Sequence, residues 1–129
     1  MFACGFAISP NDDHMQVECV KYLLYVQDMS RAVAFHRDVL GLTVRMESPG
    51  WSEVARGDAL IGLHAGGDGQ QRVTALSFQV TDLDAALNEI TSRGGRVVDP
   101  PESRPGEPIR LARFADTEGN VVMLIQYTG

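Results

Sequence analysis

Eight side chains carry the chemistry this sequence offers: Lys21, Tyr25, Trp51, Glu53, His64, Gln79, Arg113 and Met123. Lys21 is the sole lysine among 11 basic residues. It reads either as a fixed cation anchoring an anionic or carbonyl-bearing ligand, with a Schiff base as the extreme case, or as a strand-end lysine reaching water. His64 is either a base or ligand contact, as imidazoles often are, or a histidine ending a strand beside a Gly-rich loop. Trp51, the only tryptophan, is a stacking platform for a flat ligand or a plug at a dimer seam. Arg113 is a bidentate carboxylate holder or an exposed strand arginine. Glu53 and Gln79 are polar points of the same kind. His36 reads as a helix-surface or sheet-edge residue, and His14 lies in an unpatterned stretch and supports no site. No nucleophile elbow, P-loop or dinucleotide fingerprint is present, so no catalytic residue is assigned.

Strands must position these groups, because successive strand residues point to opposite faces. If Tyr22, Leu24 and Val26 pack under a helix, then Lys21, Leu23 and Tyr25 share the other face. The same parity puts Trp51, Glu53 and Ala55, then Leu60, Gly62 and His64, on that face of their sheet. It also groups Ala75, Ser77 and Gln79 with Val121, Met123 and Ile125, and adds Arg113 if Phe114 is core. The resulting walls are mostly apolar with a few polar points, as small-molecule sites are.

The two groups come from an internal repeat. KYLLYVQDMSRAVAFHRDVLGLTV and ALSFQVTDLDAALNEITSRGGRVV match at Val26 and Val80, Asp28 and Asp82, Ala32 and Ala86, Gly41 and Gly95, and Val44 and Val98, all at one offset of 54 residues. Each copy reads as a strand, 20–26 or 75–80, and then a helix. Asp28 or Ser30 caps the first helix and Thr81 or Asp82 the second, accepting the unpaired N–H groups of the first turn. Ala32, Phe35, Val39 and Leu40 form the apolar face of the first helix. Leu83, Ala86, Leu87 and Ile90 form that of the second. Gly41 and Gly94–Gly95 stop them. Further strands are expected at 42–47, 51–56, 59–64, 96–98, 109–115 and 121–127, with Pro100, Pro101, Pro105 and Pro108 making a stiff loop. In the turn between the last two strands, Asp116 bonds its own backbone and Gly119 takes positive φ. The division is a loosely held extension (1–16), a first module (17–65), a linker (66–71) and a second module (72–129), all in one structural domain. Met15 is an alternative start.

Composition narrows the function. The chain has 129 residues and a formal net charge of −6, which argues against nucleic-acid and anionic-membrane partners. A hydrophobic fraction of 44% suits a soluble globular domain, and no apolar run approaches the ~20 residues of a membrane span. A signal peptide is not expected. Cys4 and Cys19 form no metal-type pair and read as reduced cytoplasmic thiols, a bridge being the alternative.

With VQDMSRAVAFHRDVLGL as first helix and turn, and Phe114–Asn120 (FADTEGN) as the late turn with Thr117 where proline is usual, the chain resembles the vicinal oxygen chelate superfamily. That family includes glyoxalase I, bleomycin-resistance proteins and extradiol dioxygenases. The resemblance implies an α+β fold of two βαβββ modules with concave mixed sheets. In metal-dependent members, His, Gln or Glu side chains on the first and last strand of each module hold a divalent ion that polarises vicinal substrate oxygens. Those positions here are Lys21, Gly62, Ala75 and Met123. None is a hard-metal donor, and slipping the alignment by one residue supplies none. The expectation is therefore a metal-free, cofactor-free cytoplasmic protein of the bleomycin-resistance type. It would sequester a hydrophobic or flat ligand between concave sheets, as a homodimer. The alternatives are a glyoxalase-like lyase, isomerase or dioxygenase with a divalent metal, and a regulatory module without a ligand.

Overall fold

The computed structural model describes residues 15–129. Strand β1 (Lys21–Val26) leads to helix α1 (Met29–Ala34), which runs on into a wider π-type turn (Phe35–Val39). Strands β2 (Thr43–Met46), β3 (Trp51–Arg56) and β4 (Ala59–Ala65) complete the first module. The second repeats the pattern with β5 (Arg72–Gln79), α2 (Leu83–Ser92), β6 (Arg96–Ser103), β7 (Ile109–Ala115) and β8 (Asn120–Tyr127). The sheet orders are β1-β4-β3-β2 and β5-β8-β7-β6, each with its first pair parallel and the rest antiparallel. Register confirms the repeat: Gly62 lies opposite Leu23 and Met123 opposite Ser77, and Leu23 and Ser77 are related by the offset read in the sequence.

Both helices begin as their polar residues dictate. The side chain of Asp28 accepts the Arg31 N–H, and that of Asp82 accepts the Ala85 N–H. The first apolar cluster buries Leu24, Val26, Ala32, Val33, Val54 and Leu63 beneath α1; the second gathers Leu83, Leu87, Ile90, Phe114 and Leu124. Phe35, from the first module, packs in the second cluster, its ring centroid 6.4 Å from that of Phe114. Leu40, Leu76 and Phe78 touch both clusters. The modules therefore share their cores through their helix-bearing sides.

Three local expectations need correction. His36 is buried, not at the surface, with Nδ1 against the Ala32 carbonyl at 2.9 Å. It stands four residues after buried Ala32, so ordinary helical spacing puts it on the same inward face, ahead of the widened Leu40 N–H to Phe35 carbonyl bond of the π-type turn. Strand β6 runs through Pro100 and Pro101, which were read as loop. It is the edge strand, where a missing N–H costs no ladder bond, and its register breaks on either side of Asp99. Cys19 is disulfide-bonded rather than reduced, since spacing along the chain does not reveal nearness in space. Cys4 and His14, with most of the expected N-terminal extension, lie outside the described residues.

The turn Asp116–Asn120 does more than join two strands. Asp116 Oδ1 accepts the N–H groups of Glu118 and Asn120 at 2.8 and 2.9 Å, and Gly119 has φ 87°. From this frame Glu118 reaches into the first module. Its carboxylate accepts the N–H groups of Gln27 and Asp28 at 3.0 and 2.9 Å, and Arg31 donates to it from Nε and Nη2 at 2.8 and 3.1 Å. Asn120 Nδ2 donates to the Tyr25 carbonyl at 2.9 Å. The second module thus holds the end of β1 and the start of α1 in the first.

Candidate functional site

Five of the eight singled-out side chains come together on the concave face of the first sheet. Trp51 and Glu53 stand two apart on β3, so they share that face. Gly62 pairs with Glu53 on the next strand, and a Cβ on it would meet Trp51 Cη2 at 2.2 Å. The indole therefore lies where any other side chain at residue 62 would stand. From there its Nε1 donates to Glu53 Oε2 at 3.0 Å. Lys21 reaches the same oxygen from β1 across the bare glycine, with Nζ at 3.3 Å and 5.9 Å from the Trp51 ring centroid. The lysine side chain is 20% exposed and the glutamate 1%. Tyr25 and His64 extend the face: their rings lie 5.4 Å apart, and the His64 ring lies 6.0 Å from Trp51 at a steep angle. The exposed His64 ring turns Nδ1 to the Ala65 carbonyl.

The remaining three belong to the other sheet. Arg113 occupies on β7 the position Glu53 has on β3, opposite Met123 where Glu53 is opposite Gly62. Its guanidinium is taken by Asp99 of the edge strand at 3.3 Å. Met123 is half-buried, and Gln79 is exposed at the end of β5. Gln79 instead borders two apolar clefts of about 420 and 400 Å³ between the modules, together with Leu42, Arg56 and Phe78. A single groove lined by all eight residues is therefore not what one chain forms. Parity assigned the faces; the relative placement of the two sheets follows from the packing of Phe35, Leu76 and Phe78, which strand parity does not encode.

Two features of the site escaped the sequence reading. One is the seat that Gly62 gives Trp51, for which the available signal was a glycine inside an apolar strand. The other is the buried polar group behind the face, formed by His36, Asp116 and Glu118. Burial lowers the His36 pKa, against its bond to Ala32 and the nearby carboxylates. Burial raises that of Asp116, against the His36 charge and the N–H groups it accepts. Burial also pushes Glu118 upward, but Arg31, the Asp28 N–H, the Thr117 hydroxyl and the Gln27 N–H together hold it below the usual range. This group positions Tyr25 through Asn120 and does not reach the concave face.

The four positions where metal-binding relatives carry donors hold an ion-paired ammonium (Lys21), a glycine covered by an indole (Gly62), an exposed alanine (Ala75) and a half-buried thioether (Met123). This donor set does not fit a hard divalent ion.

The family model for the Glyoxalase/Bleomycin resistance protein/Dioxygenase superfamily matches residues 13–124. The chain belongs to this superfamily. Among solved structures, TnmS3 from Streptomyces sp. CB03234, an antibiotic binding protein, is 28% identical with a TM-score of 0.68, covering 88% of this chain and 99% of its own. The fosfomycin resistance protein FosX from Listeria monocytogenes is 19% identical with a TM-score of 0.71, covering 88% of this superfamily member and 96% of itself. A superfamily enzyme from Burkholderia phytofirmans PsJN is 18% identical with a TM-score of 0.70, covering 83% and 96%. The last two likenesses concern the fold. No functionally curated protein matches the sequence. No helix among the described residues is long and apolar enough to cross a membrane.

Proposed function

We propose that the chain is a metal-free small-molecule binding protein that holds a flat, hydrophobic ligand on the concave face of its first sheet. The observation that carries this reading is the seat of Trp51 over Gly62. It lays a fixed indole along the sheet, flanked by Tyr25 and His64, at one of the positions where metal-dependent relatives place a donor. The ligand is held by apolar contact and ring stacking, with polar points at the Lys21–Glu53 pair. The likeness to TnmS3, an antibiotic binding protein, supports sequestration over turnover.

The same face bears on assembly. Leu23 and Tyr25 on β1 and Val73 on β5 are 42%, 43% and 76% exposed, which is unusual for apolar and aromatic strand residues. We infer that two copies pair these faces as a homodimer and enclose the ligand between a first sheet and a partner's second sheet. Light scattering after size exclusion reads the mass: a dimer supports the pairing, and a monomer at high concentration contradicts it.

Trp51 reports on ligand directly. Titration of polycyclic and glycosylated antibiotics against its fluorescence should give a saturable change for at least one compound, lost in Trp51→Phe. No change across a broad panel contradicts the binding function.

A further inference from the structure

The chemistry of the ligand can be taken further, on the reading that the first concave face is where it binds. Glu53 Oε1 is a buried side-chain atom with no hydrogen-bond partner among the described residues. A carboxylate accepts at both oxygens, yet here both donors, Trp51 Nε1 and Lys21 Nζ, go to Oε2. Buried polar atoms are nearly always paired in native folds, so an unpaired one beside a candidate site marks a missing donor.

The sign of the ligand follows. Lys21, the cation that this face brings to Glu53, is already neutralised by it. An incoming anion would have to draw the ammonium away and leave a buried carboxylate unpaired, which is strongly unfavourable. An incoming N–H donor adds a charge-assisted bond at Oε1 and removes nothing. The electron-rich faces of Trp51 and Tyr25 favour a cation as well.

We propose that Glu53 sets specificity, and that the ligand is a flat aromatic molecule bearing a protonated or N–H-rich nitrogen group, such as an amine, amidine or aminoacridine, directed at Oε1. Lys21 is then a cover for the carboxylate, not an anchor for anions.

Three flat tricycles of one shape test this by calorimetry at pH 7.5: proflavine (cationic, with N–H donors), acridine (neutral) and acridine-9-carboxylate (anionic). Proflavine is expected to bind at least about tenfold more tightly than the carboxylate, the scale of one charge-assisted bond. Glu53→Gln is expected to weaken proflavine by about tenfold or more and to leave acridine within about twofold. Should the variant fail to fold, the wild-type comparison still decides. Equal or tighter binding of the carboxylate overturns the proposal. Equal binding of all three overturns it while sparing the stacking site, and no binding of any removes both.

Discussion

The ring of Trp51 lies over Gly62, in the space a Cβ there would enter at 2.2 Å, and this seat aims its Nε1 at Glu53. Gly62→Ala is therefore a change of one methyl with a specific consequence. The indole must leave its seat, breaking the bond to Glu53 and freeing the ring to solvent. Overpacking of this kind costs about 1–3 kcal/mol. Tryptophan emission should shift to the red and ligand binding should fall, while far-UV circular dichroism stays unchanged. An unshifted emission maximum would show that the ring does not depend on the glycine.

Glu118 ties the modules together with a buried carboxylate that accepts two backbone N–H groups and a two-point contact from Arg31. In Glu118→Gln the charge is lost and an amide NH₂ is turned toward those donors. We expect a loss of about 2–4 kcal/mol in urea unfolding. The exposed Arg110–Asp84 pair is the control: Asp84→Asn should change stability little. Equal effects at the two sites would refute the clamp.

Stability should fall on mild acidification, and His36 is the reason. Its folded pKa lies below the ordinary value, so the unfolded chain takes up the proton first as pH drops through about 6.5. Its contribution is complete above that range and is lost below it, at up to about 1.4 kcal/mol per pH unit. Asp116 has the opposite sign: its folded pKa is raised, so acidification relieves a cost present at neutral pH. Glu118, held low, adds its loss only in the carboxylate range near 4. Urea midpoints at pH 7.5 and 5.5 should differ in the wild type and converge in His36→Gln, whose amide can still donate to Ala32. An undiminished slope in the variant would place the titration elsewhere.

The repeat made the architecture legible, because a βαβββ unit leaves period-2 and helical patterns in a fixed order and a second copy at constant offset checks the first. Parity then put Lys21, Tyr25, Trp51, Glu53 and His64 on one face, and they meet there. Two things were hidden. His36 lies inward, four residues after buried Ala32, but a polar imidazole on that face gives no hydrophobic signal. The repeat already grouped Arg113, Met123 and Gln79 on the second module; how the two sheets sit against each other follows from Phe35, Leu76 and Phe78 packing the modules from their helix-bearing sides, which strand parity does not encode. The Lys21–Glu53 pair was open to the sequence only as two unassigned charges. Their meeting depends on a glycine between them, on a strand that neither occupies.

The central claim is that the first concave face binds a flat ligand through its own side chains and without a metal. Calorimetric titration of chelator-treated protein with a polycyclic ligand tests it most directly. The account predicts stoichiometric binding that is unchanged by chelation and abolished or strongly weakened by Trp51→Ala. Binding that vanishes on chelation and returns with a divalent ion would contradict it.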